Sequence, residues 1–391
     1  MESHILGSNL KFQIEKDVFF HGLQRVQGIV ERKSSVPMCS NVKIEARGEI
    51  SKISITATDL EIGVQGLYPA KILNIGGVVV SGKKLFEIIR ELPSGDVSFE
   101  VEDKKHVIIR SGKSYFKITG FITDDFPSLP EITEERMVST ETTVFKEMIR
   151  KIFFSIPDAE ARQVLNGALL EIEEGEDKLI NLKMVGTDGH RLAVCGRTIK
   201  GGNISFEKRE EGQQIVIPKK TLNEIRRFLD SDGEFKIGIG EKLLYFKGGD
   251  VYLTSRLIEG TYPNYKQVIP QKGEHEVQVN RLDFINAVKR VSVMSREKTK
   301  AILIEFTDGK AILRSRDQEV GEATEEVDLT YKGPGITLGL NHQYLIEALD
   351  SMEDEDVIFN MQTNLSPCII KQESDPDSLC IVMPMRVQEA E

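Results

Sequence analysis

The sequence predicts an α+β chain of three repeated domains, each built of antiparallel sheets with two helices on one side. Two observations carry this reading. A strand, a helix and several strands, followed by a second strand, helix and strands, recur three times within 391 residues. Two landmarks also keep their place from one pass to the next. Phe19, Phe145 and Phe284 occupy one position of the first helix, 126 and 139 residues apart, and Leu-x-Glu marks the second helix at Leu85/Glu87, Leu222/Glu224 and Leu345/Glu347.

In chain order, residues 1–9 lack periodicity and are expected to be a disordered extension. Residues 10–14 alternate as a strand, and Val18, Phe19, Leu23, Val26 and Val30 follow at helical spacing. After Pro37 come strands at 41–46 and 52–57, an apolar strand at 77–80, a helix over 83–92 and alternating strands over 97–118. The second pass has a strand at 137–140, a helix bearing Phe145, Met148, Ile149 and Ile152, and a strand at 167–172. A strand at 214–217 and a helix over 219–229 complete it. The third has a strand at 277–280, a helix with Phe284, Ala287, Val288 and Val291, strands at 301–306 and 335–340, and a helix around 344–349. These passes set the expected domains at 10–132, 133–273 and 274–391. Alternating strands with one polar face favour antiparallel sheets covered by helices on the other.

The composition, 40% hydrophobic and 29% charged, is that of an ordinary globular protein. No apolar run approaches the roughly 20 residues a membrane helix requires, and no signal peptide is evident, so a cytoplasmic protein without membrane partners is expected. Cys39, Cys195, Cys368 and Cys380 lie far apart in apolar contexts and read as buried reduced thiols. The six histidines show no metal-ligand spacing. Neither metal nor cofactor is expected.

The net charge of −11 argues against nucleic acid only if it is evenly spread. The six expected helices together carry +6, which leaves −17 on the remaining chain. Two readings stay open: solvated charges clustered by chance, or helices lining a surface that faces a polyanion. No base-reading element is present, so contact with nucleic acid would be through phosphates and independent of sequence.

Near the centre, Gly186-Thr187-Asp188-Gly189-His190-Arg191-Leu192-Ala193 joins two apolar segments through a tight turn. Gly189 is free to adopt positive φ, and Asp188 can bond its own backbone. Thr58-Asp59 and Arg316-Asp317 stand at the same place in the other repeats. The turn reads as a surface hairpin or as a binding loop carrying an imidazole and a guanidinium. Gly77–Lys84 fits G-x-x-x-x-G-K, but Lys84 stands where a magnesium-binding Ser or Thr belongs and three intervening residues are valines. Nucleotide binding is rejected there, and no nucleophile with a neighbouring base emerges elsewhere.

Gly186–Val194, the terminal Val382-Met383-Pro384-Met385-Arg386-Val387 and the threefold repeat together resemble the β subunits of bacterial DNA polymerase III, the sliding clamps. The resemblance covers about residues 10–387. It implies a head-to-tail homodimer closed into a ring, with helices around a hole for duplex DNA and no intrinsic chemistry or enzyme activity. It also implies a pocket for short linear motifs of the polymerase III α subunit, the clamp loader, other polymerases, and mismatch-repair or ligation proteins. The matching pocket positions are Leu165, Thr187, Gly189, His190, Arg191, Leu192, Pro263, Gln267, Val268, Tyr344, Met383, Pro384, Met385 and Arg386. In this reading His190 and Arg191 bind peptide backbone or carboxylates. Gln267 departs from a position that is often basic, Val387 replaces a common Leu, and 388–391 extend past the usual end. Gln163 and Val164 stand where aromatics often precede Leu-Asn-Gly. For DNA contact the resemblance points to Lys33, Lys219 and Lys220, with Lys151 and Arg162 added because they lie on or just after a basic helix. For the ring interface it pairs Arg110, Lys113, Phe116 and Lys117 with Val293, Met294, Glu319, Glu322, Glu325 and Glu326.

Two other classes of function compete with this one. An enzyme using His190 and Asp188 as acid and base would show intrinsic nuclease or ATPase activity. A peptide-displaying scaffold would bind motifs but would not stay on circular DNA.

Overall fold

The structure is a computed structural model that describes residues 9–30, 36–46, 51–103, 105–131, 137–200, 213–229, 233–270, 273–295, 300–317 and 319–386. Lys33, Val387 and the first eight residues of the expected extension lie outside these.

The first pass runs β1 (Lys11–Glu15), α1 (Lys16–Val26), β2 (Asn41–Ala46), β3 (Lys52–Thr58), β4 (Ile62–Pro69), β5 (Lys71–Asn74) and β6 (Gly76–Ser81). It continues with α2 (Gly82–Glu91), β7 (Asp96–Glu102), β8 (His106–Ser111) and β9 (Ser114–Phe121). The second has β10 (Met137–Glu141), α3 (Thr142–Ile152), β11 (Gly167–Glu174), β12 (Leu179–Thr187) and β13 (Arg191–Lys200). Then come β14 (Gln213–Pro218), α4 (Lys219–Phe228), β15 (Glu234–Ile239), β16 (Leu243–Gly248) and β17 (Val251–Arg256). The third has β18 (His275–Asn280), α5 (Arg281–Ser292), β19 (Ala301–Thr307), β20 (Lys310–Asp317) and β21 (Gly321–Asp328). It ends with β22 (Ile336–Asn341), α6 (His342–Asp350), β23 (Asp356–Met361), β24 (Cys368–Lys371) and β25 (Ser378–Val382).

Three helices begin where the sequence supplies caps. Ser81 accepts the Lys84 N–H at the start of α2, Asn280 that of Asp283 in α5, and Asn341 those of Gln343 and Tyr344 in α6. Val78, Val79 and Val80 are buried in β6 beside β2, so Gly77–Lys84 is a strand feeding a helix. The first helix stops at Val26, short of the expected Val30, because Gln27 and Gly28 turn the chain.

The described residues form two compact units. The first takes the opening pass and 223–257 of the second, the other takes 144–201, 208–222 and 258–391. The reason lies in strand pairing. In the first unit β17 pairs antiparallel with β4, which makes one sheet of thirteen strands out of parts of two repeats. In the second unit β25 pairs with β13 within an eight-stranded sheet, beside a four-stranded one ordered β21-β20-β19-β22.

Every helix in the two units turns an apolar face inward. Phe19 packs edge-on against Phe12 and Phe99, and Phe284 lies against Phe306 and Phe359. Phe19 and Phe284 thus plug their helices onto the strands, Phe145 is likewise buried, and a Phe→Ala change at such a site costs about 3–5 kcal/mol. All four cysteines are buried free thiols, and burial pushes Cys368 and Cys380 up to about 12 and about 11.

Candidate functional site

The turn between β12 and β13 is fixed by its own side chains. Asp188 Oδ1 accepts the N–H groups of His190 at 2.9 Å and Arg191 at 3.0 Å. The Thr187 hydroxyl accepts the Gly189 N–H at 3.1 Å and donates to the Arg191 carbonyl at 2.5 Å. Gly189 sits at φ +85°, where an L side chain is strained. The same turn occurs at Asp59, which accepts the Glu61 and Ile62 N–H groups, and at Asp317, which accepts those of Glu319 and Val320. It belongs to the repeat, and what distinguishes the second copy is what lies against it.

The chain terminus lies against it. Arg191 pairs with Val382 across β13 and β25, and the Met383 N–H donates to the His190 carbonyl at 2.9 Å. Met385 then donates to the Gly339 carbonyl within β22 at 2.7 Å, which ties the terminus to that strand. The two motifs, about 190 residues apart, are thereby brought together.

Beneath them lies one apolar cluster that includes Leu165, Leu169, Leu192, Tyr262, Tyr265 and Ile381, with Met383 packed on it half-buried. Tyr262 bonds the Val185 carbonyl and Tyr265 the Glu171 carboxylate at 2.7 Å, and burial raises the pKa of both phenols. Pro263, between these two anchored rings, is exposed, as are Gln267 and Val268 in the short helix that follows. Pro384 and Met385 are half-buried and Arg386 is exposed. The patch therefore offers apolar groups on a rigid floor with polar ones around it, as suits a short peptide with aliphatic or aromatic anchors.

Arg191 is held by neighbours from several elements. Its guanidinium bonds Asp188 at 3.0 Å and Glu347, and lies 4.3 Å from the Tyr344 ring centre and 5.5 Å from that of Phe154. With two carboxylates and two rings around it, Arg191 is a pillar joining the turn to α6. His190 is exposed at the tip and open to a ligand. Two positions escaped the sequence reading. Phe154 sat in a helical pattern that reads as core. Leu365, 59% exposed, lies in a Thr363/Ser366-braced loop leading into Cys368, which faces Val382 beside Met383. A large apolar residue within Gln362-Thr363-Asn364-Leu365-Ser366-Pro367 was the available signal.

The expected DNA-contact residues fare unequally. Arg162 is exposed. Lys219 is half-buried, bonded at 2.7 Å to the Ile156 carbonyl and to Asp158, and Lys220 is also half-buried. Lys151 is a correction, because its side chain is only 5% exposed and its ammonium bonds Asp375 at 2.5 Å. Asp375 also binds Arg197 through two bonds of 2.8 and 2.9 Å, and Arg197 reaches Glu147 at 2.7 Å. Lys151 is thus held inside the second unit and does not meet phosphate. Burial alone would raise the Asp375 carboxyl, but bonds from Arg197, Lys151 and Ser378 outweigh it and hold it at about 2, below its usual 3.8. A depressed folded pKa gives stability that is complete above about 3.8 and lost as pH falls toward 2. Asp375→Asn is expected to cost about 3–5 kcal/mol, since Lys151 keeps a buried charge with only the more distant Glu147, at 3.9 Å, to offset it. Denaturant unfolding at pH 7 measures this, and the gap between variant and parent should shrink as pH falls below 3.8.

On the expected ring interface, Phe116 is 36% and Val293 74% exposed, and Met294 is half-buried. Arg110 and Lys117 lie near Glu100 and Glu102 at 3.7 and 3.9 Å, and Lys113 is exposed. Glu319 and Glu322 are exposed, Glu325 bonds Arg290, and Glu326 bonds Lys310.

Three family models match successive stretches of the chain. They are those of the N-terminal, central and C-terminal domains of the DNA polymerase III beta subunit, over residues 10–130, 139–264 and 266–386. Among curated relatives, the beta sliding clamp of Caulobacter vibrioides is 31% identical and that of Pseudomonas aeruginosa 30%. Each alignment covers 97% of this chain and all of the relative. Among solved structures, the Pseudomonas aeruginosa sliding clamp bound to griselimycin is 30% identical with a TM-score of 0.88, and the Bacillus subtilis clamp 27% identical with 0.89. Both comparisons cover 97% of this chain and 100% of the other.

Proposed function

The chain belongs to the family of DNA polymerase III beta subunits, the beta sliding clamps, and on that premise we propose that two copies close head to tail into a ring around duplex DNA. It is a processivity factor without chemistry of its own. It tethers the replicative polymerase, the clamp loader and repair proteins through short motifs that dock on the patch formed by the central turn and the chain terminus. The workplace is the cytoplasm, and the repeats are bounded near residues 132 and 273. No described helix is long and apolar enough to cross a membrane.

The observation that carries the ring is the recurring strand junction. β4 takes β17 and β13 takes β25 in the same antiparallel manner, whereas β21, the third strand of this kind, is the edge of its sheet. β9 corresponds to β17 and β25, and its segment Ser114–Thr119 pairs only with β8 among the described residues. A head-to-tail contact of β9 on β21 closes after two subunits. Contact with DNA is through phosphates, with Arg162, Lys219, Lys220 and Lys33 the candidates.

Phe116→Ala tests this reading. Phe116 corresponds to Leu253 and Cys380, which are 1% and 4% exposed at their junctions. Removing a fully covered Phe costs about 3–5 kcal/mol, and a ring has two such seams. Sedimentation at nanomolar concentration should show a parent dimer and a folded, largely monomeric variant. A variant as dimeric as the parent would place the seam elsewhere.

A further inference from the structure

The recurring Phe and the recurring turn show which residues of the two units hold the same place. Six residues after that Phe, the first helix of each repeat carries a base, Arg25, Lys151 or Arg290. Lys151 bonds Asp375 at 2.5 Å, and Arg290 bonds Glu325 at 2.9 and 3.0 Å. Among the described residues no carboxylate bonds Arg25, which lies beside the hydroxyl of the buried Tyr68. Tyr68 stands where the second unit has Arg197, counted from the facing pairs Thr58–Gly63 and Thr187–Leu192, and His21 stands at the position of Glu147. Asp375 belongs to a hairpin that is shorter in the first unit: residues 372–377 join β24 to β25, but only Gly249 and Asp250 join β16 to β17. The consequence is space. In the second unit Ser351, Met352 and Cys380 crowd Lys151 and leave about 10 Å³. Phe228, Leu229 and Leu253 hold those places in the first unit, and with Arg25, Tyr68 and Gly248 they line a cavity of about 450 Å³.

We propose that this cavity binds a small organic carboxylate with a ring-bearing apolar body, its carboxylate resting on Arg25 as that of Asp375 rests on Lys151. The proposal goes beyond the clamp reading and does not depend on the ring. The volume lies within the roughly 300–1,000 Å³ of small-molecule sites. At the polar end the planar guanidinium matches a carboxylate edge to edge, and the Tyr68 hydroxyl beside it is a further donor. Glycine makes room for that hydroxyl, since a Cβ on Gly66 would fall 2.3 Å from it. Away from this end the walls are apolar. Phe228, Phe235, Phe246 and Leu253 face the cavity, and the Phe235 and Phe246 rings stack at 5.7 Å, a surface that suits another ring. Two carboxylates also line the space. Asp250 is already paired with Lys52 at 2.6 Å, and Glu234 is exposed, where solvent screens it. Because β4 supplies Leu67 and Tyr68 and β17 supplies Val251 and Leu253, a bound ligand would brace the strand junction of the first unit from both repeats.

The test titrates 4-phenylbutyrate, with its neutral amide as control, into the full-length protein by calorimetry. The parent should take up one carboxylate per chain and melt at a higher temperature when saturated. The amide should bind at least about tenfold more weakly. Arg25→Gln alters an exposed residue, so the fold should persist while affinity for the carboxylate falls at least about tenfold and that for the amide stays unchanged. Gly248→Asp, where a Cβ meets nothing nearer than 3.8 Å, sets a carboxylate on the cavity wall and should exclude the anionic probe. Deleting Met383–Glu391 should leave the titration as it is. A parent that shows no saturable binding at millimolar probe would overturn the proposal, as would parental affinity in both point variants. Loss of binding in the truncated protein would put the probe on the peptide patch and overturn it too. A parent that takes acid and amide equally would overturn the contact with Arg25.

Discussion

Deleting Met383–Glu391 is expected to lower affinity for a peptide with Leu or Phe anchors at least about tenfold, roughly 1.4 kcal/mol. The deletion takes away Met383, which packs on the cluster holding Leu165 and Leu192, together with Pro384 and Met385. It spares β25, which ends at Val382 and keeps its pairing with β13 and β24, so the second unit should stay folded. Two backbone bonds, to His190 and Gly339, go with the segment. Thioethers line such surfaces because they repack around different anchors, so the loss should extend across peptides of different sequence. His190→Ala should cost less, because that ring is exposed and adds one polar contact at the rim. Fluorescence anisotropy with a labelled peptide measures both. Parental affinity in the truncated protein would place peptide binding elsewhere.

Much of this was legible in the sequence because it rests on local chemistry. The helical apolar faces follow from spacing alone, and the recurring Phe marked a helix position that is buried in all three repeats. The Thr-Asp turn could be read from Asp188 and Gly189, since an aspartate that bonds its own backbone and a glycine at positive φ are properties of four residues. What stayed hidden depends on distant partners. Lys151 looks like a solvent-facing base on a basic helix, and only Asp375, 224 residues on, shows that it is buried. Arg191 read as a group for peptide backbone or carboxylates, and its contacts with Glu347, 156 residues on, and Tyr344 could not be read from the turn itself. The division into two units was hidden for the same reason. No residue of β4 announces that β17, about 190 residues later, will extend its sheet.

The central claim is that the protein holds DNA by enclosing it. The helices carry a modest positive charge and no base-reading element, so phosphate contacts alone should be weak and fall steeply with salt. A closed ring leaves only by opening or by sliding off an end. The direct measurement is retention on a circular plasmid after loading by a clamp loader, followed by a single restriction cut. The protein should remain on the circle through moderate salt and leave once the circle is linearised. Equal retention on circular and linear DNA, or loss from the circle in moderate salt, would contradict enclosure.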